Sequence, residues 1–221
     1  MKKKDISRLE KGEDMREVKH ITQTTENKFL NMYVLDMESD TGRKSKYFVA
    51  SRAKSIEELK ITTRKNTADG VIIYSVYQDE IDQKEKLVLI RQYRCPIDTY
   101  VYEFPAGLVE EGEDFKETGK RELKEETGLD FVPIDAKEMY TKPFFTTIGM
   151  TDESCGTIYG YAKGVPSKEG QEENEDIEIV LADRDEVRRI LKEENVAIMC
   201  AYMMMHFLHT PEGHVFDFLN A

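Results

Sequence analysis

Apolar and polar residues alternate in several short runs along the chain, which is the pattern of half-buried β-strands. Near the N-terminus, two such runs, at 29–35 and 46–50, flank a turn at 40–43 that contains Asp40 and Gly42. Asp and Gly favour tight turns, so the sequence predicts a β-hairpin here. A two-stranded ribbon is marginally stable by itself, and we therefore expect this hairpin to lie on the following domain or on a second subunit.

Longer periodic segments follow the hairpin. Strands are predicted at 70–77, 86–91, 99–104, 137–140, 154–162 and 177–181. Helices are predicted at 114–127, which Gly128 closes as a C-terminal cap, at 184–194 and at 196–208. Strands and helices mix without strict alternation, so the expected class is α+β, in the form of an αβα sandwich on a mixed sheet with an N-terminal antiparallel strand extension.

Two parts of the chain differ in character. The first, residues 1–62, is a strand-rich extension whose first 18 residues are polar and charge-dense, as in a mobile arm or a poorly packed first turn. The second, residues 63–221, carries the longer apolar strands and the helices of a domain with its own core. We expect the extension to support a homodimer, because its strands are too few to bury their own faces.

Composition narrows the range of partners. Among 221 residues, Lys and Arg number 32 and Asp and Glu number 44, which gives a net charge of −12. Nucleic-acid binders usually show a basic surface, so no nucleic-acid partner is expected. No apolar run approaches the roughly 20 residues that cross a bilayer, so no membrane partner is expected either. Three scattered cysteines without a CxxC pair argue for a reducing compartment, and we expect the cytoplasm.

One predicted helix carries a concentration of acidic residues. Glu122, Glu125 and Glu126 are spaced i, i+3, i+4, so a single helix face presents three carboxylates that repel one another. A hard divalent cation, Mg²⁺ or Mn²⁺, converts that repulsion into binding. The turn at Gly107 lets the backbone approach the same point, where the carbonyl of Ala106 is a further ligand candidate. The alternative is a charged face that is simply solvated.

A longer motif favours the metal site. Residues 107–129 match the pattern G-x5-E-x7-R-E-U-x-E-E-x-G-U, in which U is apolar, at every defined position. This is the Nudix box, and the chain resembles Nudix hydrolases, which cleave a nucleoside diphosphate linked to another moiety. The segments 91–94 and 103–107 resemble the approach to the box in ADP-ribose pyrophosphatases and related sugar-nucleotide hydrolases. A strand-rich segment before the core supports a domain-swapped dimer in that subfamily.

The resemblance implies roles for residues of the box. Glu122 and Glu126 would be the principal metal ligands, with Glu125 as a ligand or base and Ala106 contributing its carbonyl. Arg121 would hold the carboxylates in place, and it completes the catalytic set with Glu125 and Glu126.

A further acid lies outside the box. Glu153 matches the loop acid that ADP-ribose hydrolases use near the attacking water, as base or extra ligand; the alternative is an ordinary acidic loop. The subfamily usually has a small residue, Pro and Gly before this acid, whereas this chain has Thr147, Ile148 and Gly149. That departure bears on the substrate rather than on the reaction class.

Three residues are candidates for binding the substrate. Arg94 is the best phosphate clamp, because a guanidinium binds phosphate oxygens in a bidentate manner; a structural ion pair is the alternative. Arg64 could reach a phosphate or the ribose, or serve only as a surface charge. Glu103, in the segment that precedes the box, completes this set.

The expected activity is the metal-dependent hydrolysis of a small nucleotide. The resemblance implies cleavage of the pyrophosphate bond of ADP-ribose or a related nucleoside diphosphate sugar by metal-activated water, giving a nucleoside monophosphate and a sugar phosphate. A homodimer through the N-terminal strands is expected. The alternative is a catalytically weak module on the same fold that binds or senses a nucleotide.

Overall fold

The computed structural model describes residues 16–78, 83–110, 112–171 and 176–220. These residues form two compact units: 16–67 with 145–154, and 68–144 with 155–220. Of the predicted N-terminal arm, residues 1–15 lie outside the described ranges, and residues 16–18 already belong to a strand.

The described elements follow in chain order. The strands are β1 (Arg16–Gln23), β2 (Asn31–Ser39), β3 (Lys44–Ser51), β4 (Gly70–Gln78), β5 (Glu85–Arg94), β6 (Thr99–Glu103), β7 (Ala106–Leu108), β8 (Asp130–Pro133), β9 (Phe144–Phe145), β10 (Ser154–Lys163) and β11 (Ile177–Ala182). The helices are α1 (Lys60–Thr63), α2 (Phe115–Thr127), α3 (Glu138–Thr141), α4 (Arg184–Glu193) and α5 (Ile198–His209). Within the described ranges, no helix has the length and apolar character needed to span a bilayer.

The first unit is built on an antiparallel sheet of order β1-β2-β3. The predicted hairpin is confirmed as β2 and β3, with Gly42 in the turn at a φ of +80°. Tyr33 of β2 is fully buried, and its hydroxyl donates to the Ala53 carbonyl at 2.7 Å. The sequence did not indicate β1. None of its eight residues is buried, so its apolar alternation is too weak to distinguish a strand from a polar arm.

The second unit has a mixed sheet with the central order β11-β5-β4-β10-β8, in which β4 and β10 are parallel. Adjacent residues of β4 point to opposite faces, so the strand contributes to two cores. Val71 and Ile73 pack with Leu123 of α2. Tyr74, on the opposite face, packs in the cluster that contains Phe207 of α5. The sheet therefore lies between helices, and the predicted αβα sandwich is confirmed.

One local prediction in the second unit was wrong, and strand β8 was missed. The segment 137–140, predicted as a strand, contains most of the single-turn helix α3. Four residues are too few to distinguish the apolar period of a strand, 2, from that of a helix, 3.6. Tertiary contacts determine the structure here, among them the hydrogen bond that the Tyr140 carbonyl accepts from the Tyr159 hydroxyl. The strand β8 was not predicted, since only its two central residues, Phe131 and Val132, are apolar and three of its four residues are exposed.

Candidate active site

The box helix α2 is fixed at both ends and along its length. The side chain of Asp114 caps the N-terminus by accepting from the Lys116 amide at 2.9 Å. Gly128, at a φ of +73°, ends the helix. Halfway along, a Cβ on Gly119 would lie 2.4 Å from Cδ1 of Ile158 in β10, so the helix packs directly on the sheet. Glycine at this position permits that close approach.

Two carboxylates of α2 converge on β7. The Glu126 side chain is 4% exposed, and its Oε2 accepts a hydrogen bond from the Ala106 amide at 3.2 Å. A Cβ on Gly107 would lie 2.0 Å from Cδ of Glu122, so the Glu122 carboxyl group rests against the glycine backbone. Gly107 pairs with Val71 of β4, which fixes the backbone under both acids.

Arg121 connects the carboxylates of the box. Its Nη1 lies 3.0 Å from Oε1 of Glu122 and 2.8 Å from Oε2 of Glu125, and its Nη2 lies 3.4 Å from Oε2 of Glu113. Burial alone would lower the pKa of Arg121, but the hydrogen bonds and charges of these acids outweigh it and raise the pKa. The pKa of Glu113 is lowered, first by a hydrogen bond from Thr118 and then by Arg121. The arginine thus stays charged and aligns acids that would otherwise repel.

The donor atoms at β7 suit a hard divalent cation. Glu122 and Glu126 supply carboxylate oxygens beside the backbone at Ala106. In the described ranges, no group of three or more His, Cys, Asp or Glu side chains is arranged to hold a metal ion. Mg²⁺, however, is commonly bound by one or two carboxylates, with water and substrate phosphates filling its other positions. Two acids and a main-chain carbonyl fit that mode of binding.

Arg94 and Glu103 form a bidentate pair on neighbouring strands. Nε of Arg94 lies 2.7 Å from Oε1 of Glu103, and Nη2 lies 2.6 Å from Oε2. The hydrogen bond to Glu103 is the main reason that the pKa of Arg94 is raised, and the charge of Glu126 makes a smaller contribution. The ion pair that was the alternative for Arg94 is therefore present. The Arg94 side chain is 45% exposed, and its charge also interacts with that of Glu126.

The two other candidates, Arg64 and Glu153, belong to the first unit. Arg64 ends α1 at a φ of +57° and is exposed. Glu153 accepts from Nε of Arg52 at 2.8 Å through Oε1, and from the Thr146 hydroxyl at 3.1 Å through Oε2. No sequence pattern singles out Arg52. It lies in no motif, and its partner is 101 positions away, so only the fold reveals the contact.

Comparison with known proteins agrees with the box. The NUDIX domain family model matches residues 67–201. A methanol dehydrogenase activator from Bacillus methanolicus is 32% identical over 137 residues, which are 60% of this chain and 70% of that protein. An ADP-ribose pyrophosphatase from Bacillus subtilis is 25% identical over 177 residues, 79% and 82% of the two chains. An ADP-sugar pyrophosphatase from Mus musculus is 41% identical over 78 residues, 35% of each chain.

A solved structure extends the comparison to the fold. The crystal structure of an ADP compounds hydrolase superposes with a TM-score of 0.59 at 19% identity, covering 83% of this chain and 86% of that one. The likeness in fold agrees with the mixed sheet and its flanking helices. Together with the family match over residues 67–201, it identifies the chain as a member of the NUDIX domain family of hydrolases.

Proposed function

We propose that this protein hydrolyses the pyrophosphate bond of ADP-ribose or a related nucleoside diphosphate sugar, releasing a nucleoside monophosphate and a sugar phosphate. The observation that carries the proposal is the convergence of Glu122 and Glu126 on the backbone at Ala106 and Gly107. Relatives named ADP-ribose or ADP-sugar pyrophosphatase support the choice of substrate class.

The proposed site works by neutralising charge. A divalent cation, when bound, screens the pyrophosphate oxygens and acidifies a water molecule. Glu122 and Glu126 with the Ala106 carbonyl would hold it, with Glu125 as a further ligand or as the base that takes the water proton. Arg121 would keep Glu122 and Glu125 aligned through its ion pairs with both carboxylates. Positioning and charge neutralisation supply most of the acceleration in such reactions.

Three further residues are proposed to act on the substrate. Arg94 would exchange part of its pairing with Glu103 for the phosphate oxygens, because the same fork of donors fits both anions. Arg64, exposed at the end of α1, would bind a phosphate or the ribose. Glu153 would orient the attacking water as base or extra ligand.

A small substrate panel tests the proposal. The purified chain is incubated with Mg²⁺ and, separately, ADP-ribose, other nucleoside diphosphate sugars, NADH, diadenosine polyphosphates and 8-oxo-dGTP, and the products are separated by chromatography. We expect ADP-ribose to give AMP and ribose phosphate, and an excess of EDTA to abolish the reaction. Cleavage of another member of the panel alone would change the assigned substrate but leave the proposed type of reaction in place. No cleavage of any member would overturn the proposal.

A nucleotide-binding module is the second candidate. It is favoured by the relative named methanol dehydrogenase activator, because that name describes an effect on another protein rather than the hydrolysis of a nucleotide. Calorimetry separates the two candidates. Tight nucleotide binding without added metal and without turnover would support this module, whereas turnover that requires metal supports the hydrolase.

We also propose that the protein acts in the cytoplasm. Cys95, Cys155 and Cys200 are scattered along the sequence without a CxxC pair, a spacing that is typical of proteins in reducing compartments. Subcellular fractionation tests this assignment.

A further inference from the structure

The loop 145–154, which carries Glu153, is hydrogen-bonded at its middle to strand β3 of the N-terminal sheet β1-β2-β3. The Tyr47 hydroxyl of β3 donates to the Gly149 carbonyl at 2.6 Å. The Ala50 amide of the same strand donates to the Met150 carbonyl at 2.9 Å. Both contacts fix the loop backbone just before the acidic residue. The extension therefore determines the path of this loop.

The other side of the acid is anchored as well. The Lys60 ammonium of α1 donates to the Ser154 hydroxyl, and Ser154 is fully buried. The Ser154 hydroxyl in turn donates to the Thr67 carbonyl at 3.0 Å. Glu153 thus lies between two anchored segments, so the freedom that remains to it is that of its side chain.

Arg52 and Thr146 remove that freedom. The two donors bind different oxygens of the Glu153 carboxylate, at 2.8 Å and 3.1 Å, and this determines the plane of the group. Arg52 is itself well placed to do so. It follows β3 directly, Ser51 before it is buried, and the carbonyl of Ala53 after it accepts from the Tyr33 hydroxyl.

We propose that Arg52 is a positioning residue for the reaction, which holds the Glu153 carboxylate in the orientation that the attacking water requires. The inference rests on the proposed function and goes beyond it, because it gives the N-terminal extension a part in catalysis that is separate from dimerisation. Misplacing a reacting group by about 1 Å can cost on the order of 100-fold in rate, so an ion pair at this point has a measurable effect.

A double-mutant cycle tests the inference. The cycle compares kcat and KM for wild type, Arg52→Met, Glu153→Gln and the double variant, using the substrate that the panel identifies. We expect Arg52→Met to lower kcat by about 10- to 100-fold with KM changed by less than about 2-fold. We expect the double variant to match Glu153→Gln, because Arg52 acts through that carboxylate.

Two further variants separate positioning from stability. Lys46→Met removes another cation of β3, one whose pair with Asp36 spans 3.8 Å at the surface, and we expect its kcat to equal that of wild type. Arg52→Lys keeps the charge but loses the Nε donor, and we expect its kcat to lie between those of wild type and Arg52→Met. A cooperative thermal unfolding transition is used to check that each variant is folded. If Arg52→Met does not fold, Arg52→Lys carries the test, with a several-fold loss in kcat at unchanged KM.

The possible failures are distinguishable. A wild-type kcat for the folded Arg52 variants would overturn the inference while leaving the proposed function in place. The inference would also be overturned if Arg52→Met lowered kcat by the same factor in the Glu153→Gln variant as in wild type. A wild-type kcat for Glu153→Gln would overturn it as well. A failure of the proposed function is detected before the cycle, because the wild-type protein would then cleave no member of the substrate panel.

Discussion

Glu126 is the acidic residue whose surroundings are most closely defined. It is buried, and the Ala106 amide binds its Oε2. Glu126→Gln keeps the size of the side chain and an oxygen for that amide but removes the negative charge. We expect kcat/KM to fall by several orders of magnitude while the melting temperature stays close to that of wild type. Glu117→Gln is the matched control, since Glu117 lies exposed on the same helix and pairs with Lys120 at 2.7 Å. Near-normal turnover by Glu126→Gln would contradict the carboxylate mechanism.

Gly107 is required for a different reason: the Glu122 carboxylate occupies the space that a side chain at this position would need. A Cβ here would lie 2.0 Å from Cδ and 2.1 Å from Oε1 of Glu122, so Gly107→Ala must displace that carboxylate. We expect weaker Mn²⁺ binding in a calorimetric titration and a matching loss of activity, with the fold retained because glutamate is a flexible side chain. Unchanged Mn²⁺ affinity would show that the present orientation of Glu122 is not needed for the metal.

These two residues could be identified from sequence because the box encodes a local geometry. Glu122 and Glu126 lie one helical turn apart, and Gly107 stands at a fixed spacing before them. A structural ion pair could be offered for Arg94 only as an alternative, and its partner Glu103 could not be named, since a strand pattern does not reveal register. Arg52 could not be identified at all, because its contact joins distant segments through the fold.

At the scale of the element, helix α4 depends on the residue that precedes it, Asp183. The Asp183 side chain accepts from the Asp185 and Glu186 amides, both at 3.0 Å. The hydrogen bond from the Glu186 amide, followed by that from the Lys84 side chain, lowers the pKa of Asp183 from 3.8 to about 2. A carboxylate with a lowered pKa stabilises the folded state above its unfolded pKa, and the stabilisation disappears as the pH falls through the folded value.

We therefore expect Asp183→Ala to lower the free energy of unfolding by about 1 kcal/mol at pH 7. The difference from wild type should shrink as the pH falls from about 4 towards 2, as urea unfolding at a series of pH values would show. Asp185→Ala is the control, because Asp185 is exposed in the first turn and does not cap the helix. A difference that stays constant with pH would mean that the ionised carboxylate is not the source of the stability.

Elements with strong apolar patterns were predicted closely, and weak ones were not. The strand predicted at 70–77 is β4, and its residues fill both cores of the sandwich. The helix predicted at 184–194 is α4, and the structure adds that the Asp183 side chain caps it. By contrast, the segment 137–140 is too short for its pattern to decide between helix and strand, and tertiary contacts determine the outcome.

At the scale of the whole molecule, charge distribution and substrate chemistry oppose each other. A chain with a net charge of −12 repels a pyrophosphate, and the box adds carboxylates at the point of reaction. Local cations must offset this field. Arg94 and Arg121 are the guanidiniums that the structure places beside these acids, and a divalent ion would supply the rest. We infer that the substrate binds much more weakly without the metal ion, because the ion offsets the negative charge of the site. This effect on binding is separate from any effect of the ion on bond cleavage.

The N-terminal sheet leads to a prediction about assembly. Phe48 of β3 is 62% exposed and lies opposite Val34 of β2, and Phe29, between β1 and β2, is 64% exposed. Exposed aromatic residues on a small sheet mark an interaction surface, and we expect a homodimer through residues ~20–60 at micromolar concentration. Light scattering coupled to size-exclusion chromatography gives the mass, and Phe48→Asp should convert the dimer to a monomer.

A second exposed apolar surface provides the control for this prediction. Ile198 of α5 is 64% exposed, with the equally exposed Tyr202 one turn further along the helix. If the N-terminal sheet forms the interface, Ile198→Asp leaves the dimer intact while Phe48→Asp dissociates it. The opposite result would move the interface to α5. A wild-type protein with the mass of one chain would remove the dimer altogether, and the extension would then serve chiefly to hold the loop of Glu153.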